Sequence, residues 1–256
     1  MLWHKSWLET RWRFAIGLAL IACTASGVVL MFPEVQKLVP LAVPLGDADG
    51  ALARKIRESA ELVRDYRGYV WSQWFDKQLS HAWTLFAVLL GTGGLVSQAT
   101  RGGALFTLSL PVSRRRLVAV RAVTGLAELA VLAVVPTLLV VVLSPSVDAH
   151  YAIGDAMLHA GCLFVAGSVF FSFATLLSTV FGDIWRPLLF ALFAAVVLGL
   201  SDQVFPAMAR VSVFPVMSAE SYFRGNGLPW LGLVASAVAS AAMLHGAAWN
   251  IARQDF

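Results

Sequence analysis

Few residues in this chain have the types and spacing that bond chemistry requires. His4, His81, His150, His159 and His245 are scattered along it, and no His-Glu-x-x-His or comparable pattern sets two of them on one helix face. Cys23 and Cys162 lie in apolar runs without a cysteine or histidine at metal-ligand spacing, so both read as small buried apolar side chains. The sequence has no Gly-Lys pair and hence no phosphate-binding Gly-x-x-x-x-Gly-Lys-Ser/Thr loop, so ATP must be handled by another chain. Gly91-Thr92-Gly93-Gly94 sits in an apolar run and reads as close helix packing. A Gly-x-Ser-x-Gly nucleophile elbow is also missing. The sharper lead is intramembrane charge. Glu128 lies eleven residues into an apolar run, roughly 16 Å deep by helical rise, with Arg121 two turns earlier on the same face. A carboxylate at such depth is costly and so a functional candidate. Two readings stand: a hydrogen-bonded helix contact, or a lining of a translocation path or dimer seam.

The elements that must position these groups follow from composition. Of 256 residues 59% are hydrophobic and 13% charged, and mean hydropathy is +0.75. Soluble domains carry about a quarter charged residues, so 15 acids and 19 bases cannot solvate a globule of this size. The same balance excludes a disordered chain, a disulfide-rich secreted module and a nucleic-acid binder built on a basic face. The chain reads as an all-α integral membrane protein.

A bilayer core needs roughly 20 apolar residues per helix. Six runs qualify as spans: 14–32, 82–97, 117–143, 156–181, 187–200 and 228–249. The first is closed by Pro33 and is too long for a cleaved signal segment, so it reads as a retained anchor. The second is lengthened on its N-terminal side by a helical-looking segment. The fifth is short and either starts near Trp185 or completes its crossing in another shape. Gly232, Ser236 and Ser240 form a small-residue stripe for close helix approach, and Pro136 predicts a kink in the third span.

Sorting charge by loop orients the spans. Lys5, Arg11 and Arg13 precede the first span; Arg101, Arg114, Arg115 and Arg116 lie between the second and third, with no acid between Asp76 and Glu128. The loop after the third span carries Asp148 and Asp155 and no base. By the positive-inside rule both termini and the 99–116 loop are cytoplasmic. Nine bases and three acids then lie inside, against nine bases and eleven acids outside, and the net charge of +4 becomes a topology signal. Segment 33–81 is external, and within it Ala51 to about Phe75 reads as one amphipathic helix at the outer surface. Trp71, Trp74 and Phe75 suit an interfacial aromatic belt. Asp155 and His159, one turn apart, read as an interfacial pair.

The 99–116 loop is the most informative stretch. Gly102 and Gly103 turn the chain away from the second span, and Leu105, Phe106, Leu108 and Leu110 place apolar groups at helical i, i+3 and i+4 offsets. Pro111 ends that short helix, and Ser113 is placed to cap the next through its hydroxyl. Three arginines at a helix start oppose the helix dipole; topology and anionic lipid explain them better. The segment reads either as an interfacial connector or as a docking helix for a cytoplasmic groove.

The run Gly103-Ala104-Leu105-Phe106-Thr107-Leu108-Ser109-Leu110-Pro111-Val112-Ser113-Arg114 resembles the signature of type-2, exporter-like (ABC-2) permeases of ABC transporters. The likeness extends more weakly along the chain. Residues 1–13, with Trp3, Trp7, Leu8 and Trp12 among the bases, look like the family's amphipathic elbow, and Val204-Phe205-Pro206 and Phe214-Pro215 look like re-entrant helices between spans five and six. The resemblance implies a permease subunit that forms the path with a second copy or homologue in the cell (inner) membrane. It further implies a separate ATP-binding cassette ATPase that carries ATP and magnesium, with Ala104, Leu105, Phe106, Thr107, Leu108, Ser109 and Leu110 as the coupling helix. The chain itself would hold no cofactor, metal or catalytic residue. Members often carry glutamates before the glycine turn, where this chain reads Gln98, Ala99, Thr100 and Arg101, so an altered electrostatic match to the ATPase is expected. A different reading is a non-transporting membrane sensor or assembly protein that holds a partner through the same loop.

Overall fold

The computed structural model describes residues 2–46, 50–93, 113–204 and 212–253. Among these residues the chain is helical, with no strand. Five helices are long and apolar enough to cross a membrane: Leu2–Leu38, Arg115–Val147, Ile153–Leu177, Trp185–Asp202 and Trp230–Arg253.

Helix α1 spans Leu2–Gly46. No helix break separates residues 2–13 from the first apolar run, and Pro33 does not end the helix. The helix persists because a neighbour supports it at the break. Pro33 cannot donate to the carbonyl of Val29, and its ring pushes on that turn. The Tyr69 hydroxyl donates to the adjacent Val28 carbonyl at 2.8 Å. Phe32 lies against Tyr66 and Tyr69, with ring centroids 4.8 and 5.1 Å away. Both contacts hold the turn that precedes the proline against the neighbouring helix, one residue away from the carbonyl that Pro33 frees. Tyr69→Phe is accordingly expected to cost about 0.5–1.5 kcal/mol, the net worth of one hydrogen bond, read as a small fall in thermal midpoint in detergent. An unchanged midpoint would show that ring packing alone spans the proline.

The external amphipathic helix is also corrected. Helix α2, Ala51–Arg64, ends at Asp65, whose backbone is extended at φ −98° and ψ 140°. The turn is tight enough that a Cβ on Gly68 would lie 2.2 Å from the Leu62 carbonyl oxygen. The chain then re-enters helix as α3 (Tyr66–Tyr69), a π-helical stretch (Val70–Leu79) and α4 (Ser80–Gly91), a single run of 26 residues. The wider π turn, with its i→i+5 bonding, brings residues four to five apart onto one face. Tyr66, Val70, Trp71, Trp74, Phe75 and Leu79 are therefore buried in the core, and Trp71, Trp74 and Phe75 form no surface belt. The α4 helix stops at Gly91, short of the expected 97, because Thr92 is extended and Gly93 takes φ +92°.

Helix α5, Arg114–Leu143, continues through Pro136, with the Thr137 hydroxyl on the Ala133 carbonyl at 2.7 Å. Ser113 stands at its N-cap position, but the serine hydroxyl makes no capping bond. After a 3-10 turn (Ser144–Val147), α6 (Ile153–Leu177) forms the hub of the bundle. It packs against α4, α5 and the later helices, and it is the most buried of the five long apolar helices. Helix α7, Trp185–Val204, begins where the longer version of span five required and lies at the periphery, with Leu189, Phe193 and Val197 exposed. Two short helices, α8 (Val213–Met217) and α9 (Glu220–Phe223), precede α10 (Trp230–Arg253). The small-residue stripe of α10 is buried as expected, and Ser240 shares a 2.9 Å hydrogen bond with Ser168 of α6.

Candidate functional sites: a buried polar seam and an outer lock

At one end of the bundle three helices meet through charged groups that apolar surroundings would otherwise exclude. Helix α1 turns Ser6, Glu9, Thr10 and Arg13 toward α4 and α5, since residues three and four apart share a face. Arg121 of α5 lies 3.3 Å from Glu9, and Lys5 reaches the same carboxylate at 3.9 Å. The second arm of the Arg121 guanidinium donates to the Thr92 carbonyl at 3.1 Å. Arg13 donates to the Leu89 carbonyl at 2.8 Å and to the same Thr92 carbonyl at 3.1 Å. Two arginines from two helices thus converge on the C-terminal carbonyls of α4. The Leu89 carbonyl lies in the last turn of α4, at the negative end of the helix dipole, and also accepts from the Thr92 hydroxyl at 2.9 Å; Thr92 itself follows the helix on extended backbone.

Two turns along α5, Glu128 is only 3% exposed and accepts a hydrogen bond from the Thr10 hydroxyl. Its second oxygen and the Ser6 hydroxyl are buried without a hydrogen-bond partner among the described residues. Arg121 and Glu128 therefore share a face, as their seven-residue spacing requires, and both reach α1 of the same chain. Glu9, Thr10 and Thr92 were not singled out by sequence reasoning. The available signal was Glu9 and Arg13 at i,i+4 with Ser6 and Thr10 interleaved, in a helix that carries no further charge until Glu34.

Arg115 and Arg116 are exposed at the start of α5. Arg101 and the proposed coupling residues Ala104–Leu110 lie outside the described residues, as does the side chain of Arg114.

The opposite end is closed by a second cluster. Arg67 reaches Asp155 at 3.1 Å, and Tyr222 donates to the other oxygen of that carboxylate at 2.8 Å. This bond to Asp155 holds the Tyr222 phenol above its usual range. The Ser218 carbonyl accepts from Trp71 and from His159, each at 3.0 Å. Because that acceptor is a carbonyl, Nδ1 carries the His159 proton. Phe75 stacks on His159 at 4.4 Å, and Trp71 on Phe223 at 4.2 Å. Asp155 and His159 thus have separate partners and are not paired with each other. Together they tie the start of α6 to the π-helical run and to the α8–α9 turn. A cavity of about 220 Å³ opens beside this lock, lined in part by Trp71, Asp76, Lys77, Glu220 and Arg224.

Both clusters join helices to one another through buried or half-buried polar groups. Neither presents a nucleophile with an adjacent base.

Comparison with known proteins agrees with the architecture. No curated protein and no solved structure gives a significant match. The model of the ABC-2 family transporter proteins matches residues 45–214, more than half of the chain, and that stretch includes the basic loop and the Arg121–Glu128 face. The chain belongs to the ABC-2 family of transporter proteins and is a multi-pass membrane permease of an ABC transporter.

Proposed function

We propose that this chain is the membrane-spanning subunit of an ATP-driven exporter, and that two copies, or one copy and a homologue, enclose the translocation path. A cassette ATPase with its bound ATP and magnesium docks on the cytoplasmic side at Ala104–Leu110. The observation that carries this reading is the family match across residues 45–214, which includes that loop. The run from Tyr66 to Gly91 supports a sixth crossing in addition to the five long apolar helices, with both termini in the cytoplasm of a cell whose inner membrane holds the protein. An even number of crossings returns the C-terminus to the side of Lys5, Arg11 and Arg13, in keeping with the positive-inside rule. The subunit performs no bond chemistry; it converts the closure of the ATPase pair into movement of its helices.

The test is co-expression with a candidate cassette ATPase from the same organism, followed by purification through a tag on this chain. The ATPase is expected to co-purify and to hydrolyse ATP in the complex. A preparation that retains no ATPase under conditions where both chains are folded would overturn the proposal.

A further inference from the structure

Residues 94–112 join the end of α4, through Gly93, to the start of α5, so a displacement imposed on them by a bound partner would reach those two helices covalently. Helix α1 has no such connection. Arg13 of α1 nevertheless donates to Thr92 and Leu89, the last carbonyls before the segment, while Arg121 of α5 donates to Thr92 from the other side. Glu9 of α1 is paired with Arg121, which closes the triangle. We infer that Arg13 and Arg121 are positioning residues that clasp the root of segment 94–112 and pass its movement to α1. This inference rests on the reading that the segment docks the ATPase.

Three observations suit a clasp. The Leu89 carbonyl lies in the last turn of α4, where the dipole favours cations and the helix runs out of backbone N–H donors, and the Thr92 carbonyl follows it on extended backbone. The planar fork of Arg121 joins the Glu9 carboxylate to the Thr92 carbonyl through its two terminal nitrogens, which a lysine ammonium on a flexible stem does less well. Lastly, Gly93 takes φ +92°, and a Cβ there would stand 3.4 Å from the Arg121 guanidinium and 3.5 Å from that of Arg13. The turn into the segment is therefore formed around the two guanidinium groups. Two guanidiniums this close repel each other, and the Glu9 carboxylate offsets that repulsion.

The native cysteines offer a direct test: Cys23 is exposed on α1 and Cys162 is buried, so a nitroxide reagent reports α1. In the complex with its ATPase, reconstituted in lipid nanodiscs, the Cys23 label is expected to change mobility when the ATPase is trapped with ATP and vanadate. Arg13→Gln should abolish that change while ATP hydrolysis stays within about twofold. A second label at Leu85→Cys on α4, in a Cys23→Ala background, should still respond in Arg13→Gln, because α4 remains joined to the segment. Gly93→Ala, which strains the turn at φ +92° without removing either guanidinium, should reduce the Cys23 response several-fold. A Cys23 label that responds in Arg13→Gln as it does in the unaltered protein, or one that never responds, overturns the inference. So does loss of both responses together, which a merely loosened bundle would give. Leu108→Asp separates this from the docking reading. If that variant keeps its ATPase, the docking reading falls and takes the coupling role with it; if it loses the ATPase while Arg13→Gln transmits normally, only the clasp falls.

Discussion

Leu108→Asp is expected to strip the ATPase from the membrane subunit. On a helix over 104–110, Leu105 and Leu108 are one turn apart, and Thr107 lies on the opposite side. Full burial of a leucine in a partner's groove contributes about 1.5–3 kcal/mol, and a carboxylate put in its place adds its own desolvation cost. A loss of at least about 3 kcal/mol weakens binding more than 100-fold. Thr107→Asp carries the same charge on the other face and should weaken binding less than about threefold. The measurement is the dissociation constant of purified ATPase for the permease in nanodiscs. Equal effects of the two aspartates would mean that charge near Arg114, Arg115 and Arg116 matters and the apolar face does not. Binding of Leu108→Asp within threefold of the unaltered protein would remove the docking assignment.

The second large effect is on the fold. Trp83 is fully buried, donates its indole N–H to the Leu129 carbonyl at 3.2 Å, and lies over Gly167 of α6. A Cβ on Gly167 would come within 2.3 Å of the indole ring, so the glycine is what lets the ring sit between the helices. Lipid tails are as apolar as the protein interior, so helix association in a membrane depends on contact and not on release of water. Trp83→Ala removes those contacts along with one hydrogen bond and leaves a cavity at the α4–α5–α6 junction. The expected cost is about 3–5 kcal/mol, seen as a large fall in thermal midpoint in mild detergent. Gly167→Ala should cost about 1–3 kcal/mol by overpacking. Trp83→Leu should remove part of that penalty, because residues in contact do not contribute additively. Additive effects in the double variant would show that the ring and the glycine do not meet.

The contrast between these two predictions reflects what was legible in the sequence. The proposed docking face rests on residue types and spacing within seven residues, whereas the Trp83–Gly167 contact joins positions more than eighty apart. The same holds for the charged seam. The shared face of Arg121 and Glu128 follows from their spacing alone. That Glu9 and Thr10 would meet them does not, because it depends on α1 lying along α5. Trp71, Trp74 and Phe75 show how a local reading fails. Their composition suits a membrane surface equally well, but the turn at Asp65 and the π-helical stretch rotate them into the core. Pro33 was read as a stop by its local rule, and a tyrosine from another helix made it a through position.

By itself the sequence determined that this is an apolar, helical, multi-pass protein with charge sorted between its loops, and it named the family. Hydropathy and charge act residue by residue against lipid and water, so they can be read without knowing which helices are neighbours. Only the tertiary structure decided which polar groups are shared between helices: two arginines on the carbonyls that end α4, Glu128 with Thr10, His159 and Trp71 on one carbonyl. A buried polar group must find a partner, but which partner it finds depends on which helix is packed beside it.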